Sequence, residues 1–442
     1  MKKRILLLML LLTALLCSGC AMRTVYDMYS LPRRSEEYNN LQEAIDMAMA
    51  GGMTYSAPQS GENRQTVQMA DLTGDGRDEY LVFAKGSSEK PMKILIFTQD
   101  EDGKAQLLEI INGTGSAFEQ VEYVNMDDHP GMEIVVGRQV SDQVLRSVSV
   151  YGIRGEDAEQ LMSIGYSRFL ICDVDGNGRQ ELLIVQPGME ARDNGIAMLY
   201  SIRDGVLERS MEAELSQRAE NIMRLTVSKL EGGEPAVYIA SAVDETSIIT
   251  DVLALRDGRF TNISLSGESG NSVKTLRNYY VYGNDVDGDG VLELPSLIGM
   301  QPLYWDWNGE AQYLIRWFSL DIHGKESDKL YSYHNYLGGW YIRLDSDWAS
   351  RVTVEQVGNT YTFYEWDEAF ETATCLYTVF ALSGSDRQTQ AMEDSRFPLY
   401  TSESVIYAAR LEETAADYGI TEETLRSSFQ LIRETFSMGA GE

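Results

Sequence analysis

The stretch Asp285-Val286-Asp287-Gly288-Asp289-Gly290-Val291-Leu292-Glu293 sets the pattern on which the chain is built. Three carboxylates alternate with small or apolar residues, and two glycines permit a tight turn. Calcium takes about six to eight oxygen ligands, and side chains at alternate positions of a compact loop can converge on one ion. The stretch therefore predicts a calcium loop, the alternative being an Asp/Gly turn that binds no metal.

The same phrase recurs along the chain. It begins again at Asp173 and at Asp71, and a decayed copy runs from Asn125 to Glu133 with His129 in place of a carboxylate. For that decayed copy, metal binding and a metal-free turn remain two alternatives. The intervals between loops are about 50 residues, and the last is twice as long, which places a further turn, without ligands, near Lys229. A period of this length predicts a propeller or a solenoid.

An EF-hand or dockerin loop opens in the same way but needs an acidic ligand at position 12 and flanking helices. Position 12 is occupied here by Val82, Ile184 and Ser296, none of which can supply a carboxylate. Short apolar runs follow the loops, for example Leu182-Leu183-Ile184-Val185, and they are typical of buried strands. We therefore expect each loop to join one strand to the next.

Each repeat has room for four strands. Asp-Gly pairs at residues 102–103, 204–205 and 257–258 stand between alternating runs, a pattern typical of β-hairpins. Four short antiparallel strands make one propeller blade. The sequence predicts an all-β fold, a β-propeller of about six four-stranded blades (seven possible), spanning residues 58–400.

The loops and the strands after them resemble the FG-GAP (VCBS-type) repeats of integrin α-subunit β-propellers and bacterial surface proteins. The resemblance covers residues 65–300 and implies calcium loops between the first two strands of a blade. The residues that it implies as calcium ligands are Asp71, Thr73, Asp75, Arg77 and Glu79 in one loop, Asp173, Asp175, Asn177, Arg179 and Glu181 in the next, and Asp285, Asp287, Asp289, Val291 and Glu293 in the last, with Arg77, Arg179 and Val291 contributing carbonyl oxygens.

The N-terminal segment has the pattern of an export signal. A basic start at residues 2–4 precedes an apolar stretch from Ile5 to Leu16, which is too short to span a bilayer. The ending Ser18-Gly19-Cys20 resembles a bacterial lipobox, although Cys17 stands where Leu is usual. We expect a lipoprotein signal peptide at 1–19, lipidation of Cys20 and a chain anchored outside the cytoplasm; an ordinary secretory signal is the alternative. Residues 20–57 are expected to form a tether and a short helix over 35–49.

Charge and cysteine content restrict the partners. The formal net charge is −31, which argues against nucleic acid and against adsorption to anionic lipid. Membrane contact is therefore expected through Cys20 alone. With four cysteines, two of them in the signal region, the chain does not have a disulfide framework.

The C-terminal third departs from the repeat. All six tryptophans lie between Trp305 and Trp366, where they either fill blade cores, the interpretation we favour, or stack on sugar rings. Strand patterns at 351–382 predict a sixth, divergent blade. Residues 401–442 are expected to be helical, with one helix from Ser402 or Ser404 to Leu411 and another beginning at Thr421.

The sequence contains no recognisable catalytic motif. None of the three histidines (His129, His323 and His334) lies in one, and no nucleophile elbow, zinc-protease or P-loop phrase occurs. These features favour a lipid-anchored, calcium-stabilised binding or scaffold module at the cell surface, with a protein or glycan ligand. The alternative is a polysaccharide-active enzyme on the same fold.

Overall fold

The computed structural model describes residues 36–432 except 101–102, 128, 141–145, 156, 191–192, 267–271, 278–280, 302, 304–312 and 368–371. The expected signal peptide, Cys20 and the expected tether up to residue 35 lie outside the described residues, as do Trp305 and Trp307. Within the described part, no helix is long and apolar enough to cross a membrane.

Six antiparallel sheets follow one another along the chain, which confirms the predicted all-β class and the count of six blades. The first sheet contains β1 (Thr54–Tyr55), β2 (Val67–Ala70), β3 (Glu79–Lys85), β4 (Met92–Gln99) and β5 (Ala105–Gly113). The second contains β6 (Ala117–Val124), β7 (Glu133–Gln139), β8 (Arg146–Arg154) and β9 (Asp157–Gly165). The third contains β10 (Arg168–Cys172), β11 (Glu181–Gln186), β12 (Ile196–Arg203) and β13 (Val206–Glu214).

The last three sheets follow in chain order, and the fifth also includes β27 from near the C-terminal end of the described chain. The fourth contains β14 (Ile222–Lys229), β15 (Pro235–Ala242), β16 (Ile248–Arg256) and β17 (Arg259–Asn262). The fifth contains β18 (Leu294–Gly299), β19 (Tyr313–Leu320), β20 (Glu326–Asn335), β21 (Trp340–Leu344) and β27 (Phe429–Leu431). The sixth contains β22 (Val352–Val357), β23 (Thr360–Asp367), β24 (Thr372–Ser383), β25 (Phe397–Thr401) and β26 (Val405–Leu411).

The helices are short apart from the first. They are α1 (Glu36–Met49), α2 (Ser346–Ala349), α3 (Arg387–Gln390) and α4 (Glu422–Ser428), with 3-10 turns at Val273–Thr275 and Glu413–Tyr418. The Thr421 hydroxyl accepts a hydrogen bond from the Thr424 N–H at 3.2 Å, so Thr421 caps α4 as its sequence position predicts.

The predicted helix ending at Leu411 is wrong. Residues Val405–Leu411 form β26, which pairs with β24 inside the sixth sheet. Both faces of this strand are largely buried, so its sequence lacks the alternation of apolar and polar residues that marks a half-exposed strand. Strand β1 also lies in the segment expected to be a tether, where it extends the edge of β3 beside β2.

Clusters of buried apolar side chains join consecutive sheets. Separate clusters link the first sheet to the second, the second to the third, and so on to the sixth. The other face of the first sheet is covered by α1, whose Leu41 and Ile45 pack over Val82 and Phe97. Among the described residues, no such cluster joins the sixth sheet to the first. The molecule is a propeller-like series of blades.

Buried tryptophans contribute to the cluster between the fifth and sixth sheets, in agreement with the interpretation that tryptophans fill the blade cores. Trp340 is fully buried and stacks on Phe429 of β27 with ring centroids 5.5 Å apart. Trp348 joins the same cluster, and Trp317 lies in a smaller one on the fifth sheet. Three of the tryptophans are therefore unavailable as sugar-stacking platforms.

Candidate metal centre

The first four repeats place their loops as the family resemblance implies. The loops join β2 to β3, β6 to β7, β10 to β11 and β14 to β15. The fifth loop is entered through a single bridge between Asn284 and Glu293 and leads into β18. All five loops thus lie at equivalent places in successive blades.

The three intact loops share one backbone conformation. In the fifth loop, Gly288 and Gly290 have φ angles of 86° and 85°, in the left-handed region where a side chain is strained. The equivalent glycines of the first and third loops, at 74, 76, 176 and 178, also have positive φ. The repeated glycines are therefore a requirement of the turn, whether or not a metal is bound.

The first aspartate of each intact loop holds this turn together. Oδ1 of Asp285 accepts a hydrogen bond from the Gly288 N–H at 2.7 Å, and Oδ2 accepts from Gly290 at 3.0 Å. Asp71 and Asp173 accept in the same way from backbone N–H groups three to five residues later. Each carboxylate is thus fixed inside its loop by the backbone that surrounds it.

The glutamate that ends every loop except the fourth has a structural role that the ligand pattern alone did not reveal. Its Oε2 atom accepts a hydrogen bond from the backbone N–H of the second loop residue. The four pairs are Glu79 with Leu72 (2.9 Å), Glu133 with Met126 (3.0 Å), Glu181 with Val174 (3.0 Å) and Glu293 with Val286 (2.8 Å). Because the decayed second loop keeps this bond, the glutamate closes the turn independently of any metal. The spacing of the glutamate, constant even where other ligands are lost, was the available signal.

The carboxylates converge in two of the three intact loops. One oxygen from each of Asp285, Asp287 and Asp289 lies within 4.8 Å of the others, and so does one from each of Asp173, Asp175 and Glu181. The first loop, described in full, does not form such a group of three, although it contains Asp71, Asp75 and Glu79. Its Asp75 instead pairs with the exposed Arg77 at 2.8 Å, which lowers the pKa of Asp75.

The fifth loop leaves one acceptor uncompensated. Oε1 of Glu293 is buried and has no hydrogen-bond partner. Burial, reinforced by the charges of Asp287 and Asp289, raises the pKa of Glu293 from 4.5 to about 7. Burial likewise raises the pKa of Glu181 to about 7. An unpaired buried oxygen beside a cluster of carboxylates fits a hard cation, so the residues present suit calcium.

Asn177 takes part in its loop through its side chain, donating to Asp175 and accepting from the Arg179 N–H at 2.7 Å. The role of the Arg77, Arg179 and Val291 carbonyl groups as ligands stays a prediction.

A basic side chain contacts two carboxylates of the second loop. The Arg154 guanidinium, at the end of β8, lies 3.3 Å from Oδ2 of Asp127 and 3.6 Å from Oε1 of Glu133. This loop lacks the full ligand set, since Asn125 and His129 replace the first and fifth residues of the intact loops. The Asn125 amide donates to the Gly131 carbonyl at 3.3 Å. Sequence reasoning missed Arg154 because it lies on a different strand from the loop it contacts.

A second basic side chain contacts the fourth and fifth loops. Lys329 on β20 lies 2.9 Å from Glu231, in the ligand-poor fourth turn, and 3.1 Å from Asp289. Hydrogen bonds to these two carboxylates raise the pKa of Lys329. The two neighbouring loops are therefore connected by an ion-paired lysine.

An open groove of about 600 Å³ lies between the second and third loops. Most of its lining is polar, with one aromatic side chain, Tyr123. The residues that contribute are Glu122, Tyr123, Val124, Asn125, Asp127, Ile171, Gly178, Arg179 and Gln180.

The histidines are placed without a catalytic arrangement. His334 is stacked on Tyr341 with ring centroids 4.8 Å apart, and burial lowers its pKa to about 3. His129 lies in the second loop, where its Nδ1 accepts from the Gly131 N–H at 3.2 Å. Cys172 is a buried free thiol and Cys375 is a half-buried one, as expected for a chain without a disulfide framework.

No family model matches the chain, and no curated protein matches it. Among solved structures, the exotype rhamnogalacturonan lyase YesX is 15% identical, with 82% of this chain and 71% of that one covered and a TM-score of 0.32. The Bacillus licheniformis rhamnogalacturonan lyase PL11 is 12% identical over 73% of this chain and 72% of its own, with a TM-score of 0.33. Saccharomyces cerevisiae Sqt1 is 12% identical over 70% and 83%, with a TM-score of 0.31. At this level of likeness no functional residue is transferred to this chain.

Proposed function

We propose that this protein is a calcium-stabilised, propeller-like binding module of the FG-GAP type, anchored by a lipid on Cys20 outside the cytoplasmic membrane. The observation that carries the calcium part is the unpartnered Oε1 of Glu293 beside three converging aspartates. Asp285, Asp287, Asp289 and Glu293 would hold the ion in the fifth loop. Calcium would neutralise these carboxylates, and it supports the fold rather than a reaction.

Binding of a ligand is favoured over catalysis by the chemistry of the groove between the second and third loops. Its polar lining suits a polar ligand such as a glycan or an extended peptide segment. We expect this ligand to be bound and released unchanged.

The purified protein, challenged with a panel of glycans in millimolar calcium, tests this proposal. Binding without turnover, weakened in the variant Arg179→Ala, which changes an exposed residue of the groove lining, is the expected result. Turnover of any glycan would favour the alternative of a polysaccharide-active enzyme. If neither binding nor turnover occurs, a pull-down with the processed protein tests for a protein ligand.

The anchor is tested separately. Cys20→Ser should release the protein from the membrane fraction while its melting temperature stays that of the wild-type protein. Retention of the variant in membranes after a salt wash would contradict the lipid anchor.

A further inference from the structure

Three blades end their third strand with an arginine immediately before the hairpin turn. These residues are Arg154 in β8, Arg203 in β12 and Arg256 in β16. The arginine is therefore a general feature of this hairpin, but its contacts differ between blades. Arg203 lies 3.9 Å from Glu208 across its own hairpin, and both side chains are more than half exposed.

Arg154 turns instead toward the calcium-type loop of its blade. It contacts Asp127 and Glu133, the third and ninth residues of the second loop, which are ligand positions in the intact loops. The Asp127 and Glu133 side chains are 14% and 1% exposed. The Glu133 oxygen that faces Arg154 is Oε1. Neither this oxygen nor the equivalent one of Glu293 has a hydrogen-bond partner, so the 3.6 Å contact with Arg154 is an ion pair without a hydrogen bond.

Two ligand positions of the second loop are changed. Asn125 stands at the first, where its amide donates to the backbone, and His129 stands at the fifth, where its Nδ1 accepts a hydrogen bond from the Gly131 N–H. Among the described residues of this loop two carboxylates remain, and burying them without a positive charge is costly. The guanidinium offsets this cost, because it is charged at all physiological pH values and donates to carboxylates.

We propose that Arg154 is the built-in cation of the second loop, standing where calcium stands in the intact loops. The second blade is then closed without metal, and the protein binds calcium at the first, third and fifth loops only. The calcium half of this inference rests on the proposed function. The arginine half does not, because it concerns stability in the absence of metal.

The test compares Arg154→Met with Arg203→Met, since both changes remove the charge from the same hairpin position and keep an apolar stem. Thermal melts are recorded in EGTA and in millimolar calcium. We expect Arg154→Met to lower the melting temperature by roughly 2–4 °C, the shift of about 1 kcal/mol in a large domain, by the same amount in both buffers. Arg203→Met should leave it unchanged.

Two results would overturn the inference. Equal melting temperatures for the two variants in EGTA would show that the Arg154 contacts are not stabilising. A loss in EGTA that calcium abolishes would show that the second loop takes metal. Neither result resembles failure of the calcium proposal itself, which would appear as a wild-type melt that EGTA does not change.

A double-mutant cycle with Glu133 keeps the test informative if Arg154→Met lowers the melting temperature by a route other than loss of the ion pair. In a Glu133→Gln background the effect of Arg154→Met should shrink, because both changes remove the same ion pair. Additive losses would contradict direct pairing. Calorimetric titration of Arg154→Met with calcium should give the same number of sites as the wild-type protein.

Discussion

The fifth and the second loops have the same closing bond and different means of neutralising their charge. In both, the final glutamate accepts a hydrogen bond from the second residue of the loop, at 2.8 Å for Glu293 and 3.0 Å for Glu133. Oε1 of both glutamates is buried without a hydrogen-bond partner; the fifth loop surrounds it with three aspartates, while the second places Arg154 at 3.6 Å from it. The comparison separates two requirements: a backbone-held glutamate that shapes the turn, and a cation that offsets buried charge.

The largest expected effect is removal of calcium from the whole protein. Extracellular calcium modules have dissociation constants of ~10⁻⁴ to 10⁻³ M. At ~1 mM calcium and a constant of ~0.1 mM, one site contributes about 1.4 kcal/mol to the free energy of unfolding, and three sites contribute about 4 kcal/mol. Thermal melting in millimolar calcium and in EGTA measures this difference. A wild-type melt that EGTA leaves unmoved would identify the loops as metal-free turns.

The second prediction distinguishes the role of Glu293 from that of Glu133. Glu293→Gln keeps an acceptor for the Val286 N–H but removes the charge, so in calcium it should cost about the 1.4 kcal/mol of one site. In EGTA the same change should be neutral or stabilising, because it removes a buried, unpaired carboxylate. Glu133→Gln should instead cost about 1 kcal/mol in both buffers, because Arg154 loses its buried partner.

Urea unfolding of both variants in calcium and in EGTA measures these four differences. The comparison between the loops fails if the two variants respond to calcium in the same way.

The contrast between these loops also shows how far the sequence alone could lead. The spacing of Asp, Gly and Glu predicted the positions of four loops, and the repeat interval predicted the ligand-free turn near Lys229. The apolar runs after them predicted β3, β7, β11 and β15, because these are local patterns. Arg154 could not be found in this way, since it contacts Glu133 from a different strand and identical residues at Arg203 and Arg256 do not mark it as special. The strand Val405–Leu411 was missed because burial of both faces hides its period.

A third, smaller effect is the pH dependence of the calcium-free protein. Burial raises the pKa values of Glu181 and Glu293 to about 7 in the folded state, against an ordinary value of 4.5. A carboxyl group with a raised folded-state pKa stabilises the fold at low pH, and this contribution is lost as the pH rises through the folded-state value. The melting temperature in EDTA should therefore fall as the pH rises from about 5 to about 7.5.

In calcium the slope should have the opposite sign, because protons then compete with the metal for the same carboxylates. Glu181→Gln combined with Glu293→Gln is the matched variant, and it should flatten the slope in EDTA. A slope that survives both substitutions would show that other groups control the pH dependence.

The last pair of variants, Asp289→Ala and Thr73→Ala, compares the strongest with the weakest intact loop. Asp289→Ala removes one of three converging carboxylates and should cost up to the ~1.4 kcal/mol of the fifth site in calcium. It also frees Lys329 from its 3.1 Å contact, but a surface pair of this kind contributes at most about 1 kcal/mol and often less. Most of the loss should therefore disappear in EGTA, so that the gap between the calcium and the EGTA melts narrows.

Thr73→Ala should change the melt less than Asp289→Ala in calcium, because the hydroxyl carries no charge to the first site. In EGTA the change should be neutral or slightly stabilising, since Oγ1 of Thr73 is buried without a hydrogen-bond partner and its removal relieves that cost. Thermal melting of both variants, each in calcium and in EGTA, gives the four melting temperatures that this comparison needs. A Thr73→Ala loss in calcium as large as that of Asp289→Ala would mean that ligand charge does not rank these sites. The first loop would then have to be as strong a calcium site as the fifth, despite having one carboxylate fewer.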